Sequence, residues 1–402
     1  MPFRKHFGMN RNVPSRPDSS SRLAGRDYHV PWEGRRPHPK FKNLFTSLKN
    51  TNFLSSSSKI LQFSLQFFLI GILACSSSVL SYPDVYILNA TLPIAFTYTT
   101  AEYVGGNQIY IIGGETSEST TLDTVFRFNI TDETTTLVGH LPGFASTGGC
   151  AFVPSEDVIL YMGGGFWIPD LVRISLNRSG DSISSTIEGN LGSNHLMFTR
   201  LAWDAIRRQG YILGKPYYEN PGQGFYRYDA SIENVQERLQ LLGDVWPWDV
   251  ANAASFYDSV TDKVYFLGGI KWRGQERLDT IYEWDPVNET LTLLQERLPL
   301  QETDGKLIWD QETGTAWIFH DSNAWTTRGN APNLGQIEAP VLMFFKPTTR
   351  EVGSLLLEHF LDHSATRFGM AWVPELKRIY MFGGNSQNWG AYATDRIQYI
   401  QL

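Results

Sequence analysis

Cysteine is nearly absent: the 402 residues hold two, Cys75 and Cys150. Cys75 falls in an apolar run and Cys150 stands alone in the long C-terminal part, so that part holds no internal disulfide and must rest on its core, as a domain of this size can. Signatures of metal sites and activated nucleophiles are lacking too. No Cys/His set has zinc-type spacing, no Gly-x-Ser-x-Gly elbow occurs, and GGGF at 163 to 166 is not a phosphate loop because no helix follows it. His359 and His363 in EHFLDH would have ligand spacing on a helix, but they fall in a connection between strands. No cofactor is implied. Basic residues concentrate at the N-terminus: residues 1 to 59 hold twelve Lys/Arg against three Asp/Glu, a net +9, which leaves −16 on the remainder of a chain whose total is −7. So acidic a body is a poor partner for nucleic acid.

What is present is a repeat. A short apolar strand ending in a glycine doublet, or its remnant, returns at intervals of about fifty residues: QIYIIGG, VILYMGGG, GYILG, KVYFLGG, AWIFHD and RIYMFGG. Eight residues separate an aromatic in the preceding strand from one in this strand, as in Trp203 and Tyr211, Tyr257 and Tyr265, Trp309 and Trp317, and Trp372 and Tyr380. A third strand follows (TVFRFNI, GFYRYDA, TIYEWDP, VLMFFKP), then a turn rich in Asn, Asp or Pro, then a fourth strand with its own terminator (TTTLVGHLP, LQLLGDVWP, LTLLQERLP). Four short antiparallel strands per copy make one propeller blade. The six doublet positions are Gly113/Gly114, Gly163/Gly164, Gly214, Gly268/Gly269, His320/Asp321 and Gly383/Gly384. The sixth copy, DRIQYIQL, is one strand short, and DVYILNATLP at 84 to 93 carries a fourth-strand terminator ahead of any first strand. The two ends are therefore expected to share a blade, which leaves no open sheet edge.

With aromatics beyond the doublet at Phe126 and Phe128, Tyr226 and Tyr228, and Tyr282 and Trp284, residues 84 to 402 resemble the kelch repeat. The resemblance implies an all-β, six-bladed propeller over 83–402, its last blade closed by the N-terminal strand. It leaves function open, since kelch-type propellers include binding adaptors, oxidases and sugar isomerases. An oxidase of the galactose-oxidase type would need a Tyr-linked cysteine with histidine ligands, and Cys150 sits in a strand away from the loops.

The first 82 residues read differently. Residues 1–59 are basic, rich in Ser, Pro and Asn, and too polar to bury a core, so they read as a disordered tail. Residues 60–82, ILQFSLQFFLIGILACSSSVLSY, carry no charge and are long enough to cross a bilayer. As a signal anchor or transmembrane helix this segment leaves the basic tail cytosolic and the propeller extracellular or luminal. As a signal peptide, cut among the small residues near Ser76 to Ser78, it releases a secreted propeller. Glycosylation sequons at Asn89, Asn129, Asn177 and Asn288 all lie downstream of it and agree with export.

A ligand site is expected where the loops after each second strand gather with the interblade connections around the channel. Those loops carry Phe166 and Trp167; Lys215, Tyr217 and Tyr218; Lys271, Trp272 and Arg273; Asn323 and Trp325; Asn388 and Trp389. The connections add Trp246, Trp248, His195 and His363. Aromatic faces beside directional donors suit a sugar ring or a peptide side chain. Three functions follow. The first is a membrane-tethered or secreted binding module for protein or glycan, non-catalytic. The second, implied by the resemblance, is a sugar-acting enzyme using a charged pair drawn from Glu115, Arg273 and Asp321. The third is an intracellular kelch adaptor, which the lack of a helical dimerisation domain disfavours.

Overall fold

In the computed structural model the described residues are 83–163, 170–178, 182–190, 196–216, 224–242, 245–247, 250–271, 276–302, 306–320, 341–357, 367–384 and 393–402. They form six antiparallel blades. Blade 1 consists of Thr100–Tyr103, Gln108–Ile112, Thr124–Asn129 and Thr134–His140. Blade 2 consists of Gly149–Val153, Val158–Met162, Asp170–Asn177 and Ser182–Asn190. Blade 3 follows with Leu196–Asp204, Gln209–Pro216, Phe225–Asp229 and Leu239–Leu241, and blade 4 with Ala254–Asp258, Lys263–Leu267, Glu276–Asp285 and Thr290–Glu302. A short ribbon of Val250–Ala251 against Ile270–Lys271 extends blade 4. Blade 5 holds Lys306–Asp310, Thr315–His320, Val341–Lys346 and Glu351–Leu356. Blade 6 holds Gly369–Val373, Arg378–Phe382 and Thr394–Gln401, and its fourth strand is Asp84–Phe96.

That closing strand runs antiparallel to Thr394–Gln401, with Asp84 opposite Gln401 and Tyr86 opposite Tyr399, and continues to Phe96 opposite Thr394 after two register shifts. It is three residues longer than the sequence pattern alone marks. The first strands of neighbouring blades touch in an unbroken ring from blade 1 through blade 6 and back. The helical elements include the 3₁₀ turns Val235–Glu237 and Pro374–Leu376, and among the described residues no helix is long and apolar enough to cross a membrane. Residues 60–82, expected to do so, lie outside the described residues.

Six apolar clusters hold the blades together, one between each adjacent pair. This explains the apolar runs: a second strand packs a neighbour on both faces, so alternation disappears and strands such as Val158–Met162 are buried throughout. The aromatics spaced eight apart divide this labour. Tyr211 lies opposite Ala202 rather than Trp203, so Trp203 and Tyr211 project from opposite faces of blade 3. Trp203 packs toward blade 2 and Tyr211 toward blade 4. The same split places Trp309 and Trp317, and Trp372 and Tyr380, in successive clusters.

The doublets mark where the chain crosses beneath the connection between blades. Gly113 has φ +60°, and a methyl added there would lie 2.2 Å from the Ala145 carbonyl oxygen. That same carbonyl accepts the Gly114 N–H at 2.7 Å. Blade 6 repeats the arrangement: the Gly384 N–H donates to Phe96 O at 2.8 Å, and a methyl on Gly383 would come within 2.4 Å of it. Blade 5 has His320 at this place, and its imidazole is buried with Nδ1 2.7 Å from Glu302 Oε2.

Candidate functional site

The blades share one polarity. Aligned on their aromatics, the first strands read 100–104, 149–153, 200–204, 254–258, 306–310 and 369–373. The leading residue of each pairs with the residue just before the doublet position: Thr100 with Ile112, Gly149 with Met162, Arg200 with Leu213, Ala254 with Leu267, Lys306 with Phe319, and Gly369 with Phe382. Hence the loops after the second strands, the interblade connections and the leading ends of the first strands lie on one face, called upper here. The turns between strands one and two and between three and four lie on the lower face.

A cavity of about 110 Å³ occupies the channel at the upper end, lined by residues from the first strands of all six blades. Its polar side chains are Thr100 and Glu102 from blade 1, Cys150 from blade 2, Arg200 from blade 3, Ser255 from blade 4 and Lys306 from blade 5. Lys306 reaches across the channel to donate from Nζ to the Thr99 carbonyl at 3.4 Å, and Arg200 Nη1 donates to Thr199 O at 2.8 Å. Glu102 Oε1 accepts the Phe152 N–H at 3.2 Å and Oε2 accepts from Cys150 Sγ at 3.4 Å. Burial raises the Glu102 carboxyl to about 7 against the pull of those two donors. The Cys150 thiol rises well above its usual range, first by burial and then through the adjacent Glu102, so it stays protonated and is a poor nucleophile. The Ser255 Oγ is buried without a hydrogen-bond partner.

Strained backbone frames the mouth above this cavity. Tyr98, Thr147, Asn252 and Arg367, each two residues before a first strand, have φ of 56°, 59°, 59° and 61°. The Tyr98 N–H donates to Arg367 O at 2.6 Å and the Thr147 N–H to Tyr98 O at 2.9 Å, while the Arg367 guanidinium stacks 4.4 Å from the Tyr98 ring centroid. Left-handed non-glycine residues carry a modest strain that their surroundings offset. The interblade hydrogen bonds do that here.

Of the loop residues expected to form the rim, Lys215 lies within the blade 3 strand Gln209–Pro216, opposite Met197, and Lys271 pairs through Nζ with Glu276 Oε2 at 3.1 Å at the root of the blade 4 loop. Phe166, Trp167, Tyr217, Tyr218, Trp248, Trp272, Arg273, Asn323, Trp325, Asn388 and Trp389 lie outside the described residues, as do Asp321, His195, His359 and His363. Trp246 belongs to the core and not to the rim. It is buried among Phe225, Phe266 and Tyr282, with Nε1 donating to Val250 O at 3.0 Å. Glu115 is not among the residues lining the cavity and accepts from Ser146 Oγ at 2.8 Å. Cys150 does lie in a strand, but its strand faces the channel.

The cavity residues themselves carry a sequence signal that the loops obscure. RLAWD and KLIWD put a cation three residues before the aromatic of the repeat, where other copies have Thr, Gly or Ala. Glu102 sits two places further on, where the other copies have Ala, Phe or Ile. The sequons show a matching asymmetry. Asn129 and Asn177 end the third strands of blades 1 and 2, and Asn288 lies in the blade 4 turn that follows, so all three are on the lower face. Asn177, Asn288 and Asn89 are exposed, Asn129 partly so, and Asn89 lies on the closing strand.

No known protein family matches this chain, and no curated protein sequence matches it.

Proposed function

We propose that this chain is a kelch-type propeller acting as a binding module, tethered through residues 60–82 or secreted after their cleavage, that receives a protein or glycan ligand on its upper face. The observation that carries this reading is the polar channel mouth, which opens at the strand ends from which the aromatic-bearing loops depart. The sequons support the same orientation. Glycans on Asn129, Asn177 and Asn288 would cover the lower face and leave the upper one bare, and such acceptors must be surface sites of an exported chain. The test is capture of glycan-array or cell-surface ligands by the full chain and by Trp272→Ala, Trp325→Ala and Trp389→Ala. Loss of capture in these variants is expected; capture equal to the parent's in all three would put the ligand elsewhere. Endoglycosidase treatment of protein made in a eukaryotic host should also shift its gel mobility.

A second reading, a sugar-acting enzyme on the same face, is favoured by Glu102. A carboxyl held near 7 in a channel that also contains Arg200 and Lys306 is poised to exchange a proton with a bound substrate. Solvent-deuterium incorporation into reducing sugars, lost in Glu102→Gln, would select this reading over the first.

A further inference from the structure

The cavity is too small to hold a whole ligand of ordinary size. About 110 Å³ falls well short of the roughly 300–1,000 Å³ of pockets that enclose drug-sized molecules. It is large enough for a head group of a few heavy atoms, with the rest of the ligand lying on the face above. The hydrogen-bonding capacity still open on its walls decides which head group. Thr100 Oγ1 donates to the Gly148 carbonyl at 2.6 Å, and the Cys150 thiol donates to Glu102. Lys306 and Arg200 donate to the Thr99 and Thr199 carbonyls and each has a further interaction besides, so neither is offered to a guest. Two groups remain. Glu102 accepts from the Phe152 N–H and the Cys150 thiol, whereas a carboxylate can accept roughly four hydrogen bonds. The Ser255 hydroxyl has no partner among the described residues. A buried hydroxyl without a partner is costly, and a ligand atom would satisfy it.

The second residues of the aligned first strands surround the cavity at one level: Ala101, Cys150, Leu201, Ser255, Leu307 and Met370. Ser255 is the one hydroxyl among them. Its blade, the fourth, stands opposite blade 1, which carries Glu102, in the ring of six. A guest between the two meets an acceptor on one side, a donor on the other, and aliphatic side chains around it. A carboxylate there would bring a second negative charge to Glu102, and an ammonium would enter beside Lys306 and Arg200. A bare hydroxyl would leave Leu201, Leu307 and Met370 uncovered. A secondary amide answers all three walls, because it is neutral and planar and, when trans, points its N–H and C=O in opposite directions. Resting on the upper face as the ligand face, we infer that this cavity takes the acetamido group of an N-acetylated ligand, with its N–H on Glu102, its oxygen on the Ser255 hydroxyl and its methyl against Leu201, Leu307 and Met370. N-acetylated sugars and acetylated lysine share that chemistry, and the experiment separates them.

The experiment is thermal-shift and calorimetric titration of the full chain in mild detergent with N-acetylglucosamine and Nε-acetyl-lysine, each against its unacetylated counterparts, glucose and glucosamine in one arm and lysine in the other. The acetylated ligands are expected to bind at least about ten-fold more tightly, since the acetamido group adds two hydrogen bonds and a buried methyl. Binding of one acetylated ligand and not the other supports the inference and assigns the source. Ser255→Ala should weaken that binding roughly five-fold without disturbing the fold, because the hydroxyl it removes has no partner within the protein. Glu102→Met should weaken it further, and Ser255→Ala carries the test should Glu102→Met fail to melt cooperatively. Acetylated ligands no better than their counterparts, or binding unchanged in Ser255→Ala, would overturn the inference. Capture of a surface ligand that depends on the loop tryptophans and ignores N-acetyl groups would sink this inference alone, leaving the binding-module reading in place.

Discussion

Two sets of left-handed residues, at the two ends of the second strands, obey different rules. On the lower face every turn into a second strand uses a residue with φ near +60°: Asn107, Asp157, Arg208, Asp262, Gly314 and Lys377. Four kinds of side chain, Asp twice, serve there beside one glycine. At the upper end of the same second strands, Gly113, Gly163, Gly268 and Gly383 take φ between 60° and 70°, and a side chain is not merely strained but blocked by the stretch of chain that leads from the fourth strand to the next blade. Conformation alone asks for glycine weakly, because Asn, Asp and even long side chains tolerate an isolated left-handed residue. Conformation together with crowding asks for it strongly. The upper face repeats its glycines because each must pass under a connection, while the lower face repeats only a shape.

Substituting the same residue on each face should separate these two causes. The largest effect is expected at Gly113→Asn. The backbone angle there would suit Asn, yet its Cβ would fall 2.2 Å from the Ala145 oxygen and 2.9 Å from the Ala145 carbon, both backbone atoms of the next connection. Moving that connection would also break the Gly114 hydrogen bond to it. A loss of about 3 kcal/mol or more in unfolding free energy is expected by chemical denaturation, with the fold kept or lost as a whole. A variant as stable as the parent would show that crowding is not what fixes the doublet.

These contrasts account for how much the sequence reveals. The crowded junctions leave an unmistakable spacing, and from it the blade count and the closing strand Asp84–Phe96 follow. The lower turns are equally regular in three dimensions, but Asn107, Arg208 and Lys377 share no side-chain chemistry, so no motif records them. Blade 5 looks degenerate at AWIFHD because the doublet position holds His320, which is buried and paired with Glu302 at the end of the blade 4 fourth strand. The cavity is hard to read for a related reason. Arg200, Lys306 and Glu102 each occur in one or two copies, whereas a search for repetition finds what all copies share. Aromatics in the loops draw attention as potential ligand platforms, yet Trp246, from one of the same connections, is wholly explained by its packing on Phe225 and Phe266.

A middle-sized effect is expected in the channel, where upper-face crowding falls on a charge. The Glu102 carboxyl titrates near 7 in the folded protein against 4.5 for an unperturbed glutamate, so the folded state holds its proton more tightly than the unfolded state. The stability this group contributes is therefore full below about 4.5 and is lost as the pH rises through about 7. Glu102→Gln removes the titration while keeping much of the shape. Its melting temperature relative to the parent should climb between pH 5 and pH 8, and a difference that stays flat over that range would mean that Glu102 is solvated.

The smallest effect belongs to the lower face and is the most informative partner to Gly113. Gly314 has φ +62°, within two degrees of Gly113, and a methyl added to it meets nothing within 4 Å. It occupies the turn position filled by Asn107 in blade 1 and Asp262 in blade 4. Gly314→Asn should leave the folded state unstrained and restrict the unfolded chain, so stability should be unchanged or rise by up to about 0.5 kcal/mol. Since the two glycines share a dihedral angle and differ in their neighbours, the gap between the two Asn variants measures crowding with backbone preference held constant. If Gly314→Asn loses as much as Gly113→Asn, the left-handed backbone alone explains both faces, and the doublet records a conformation rather than the close passage of one blade beneath the next.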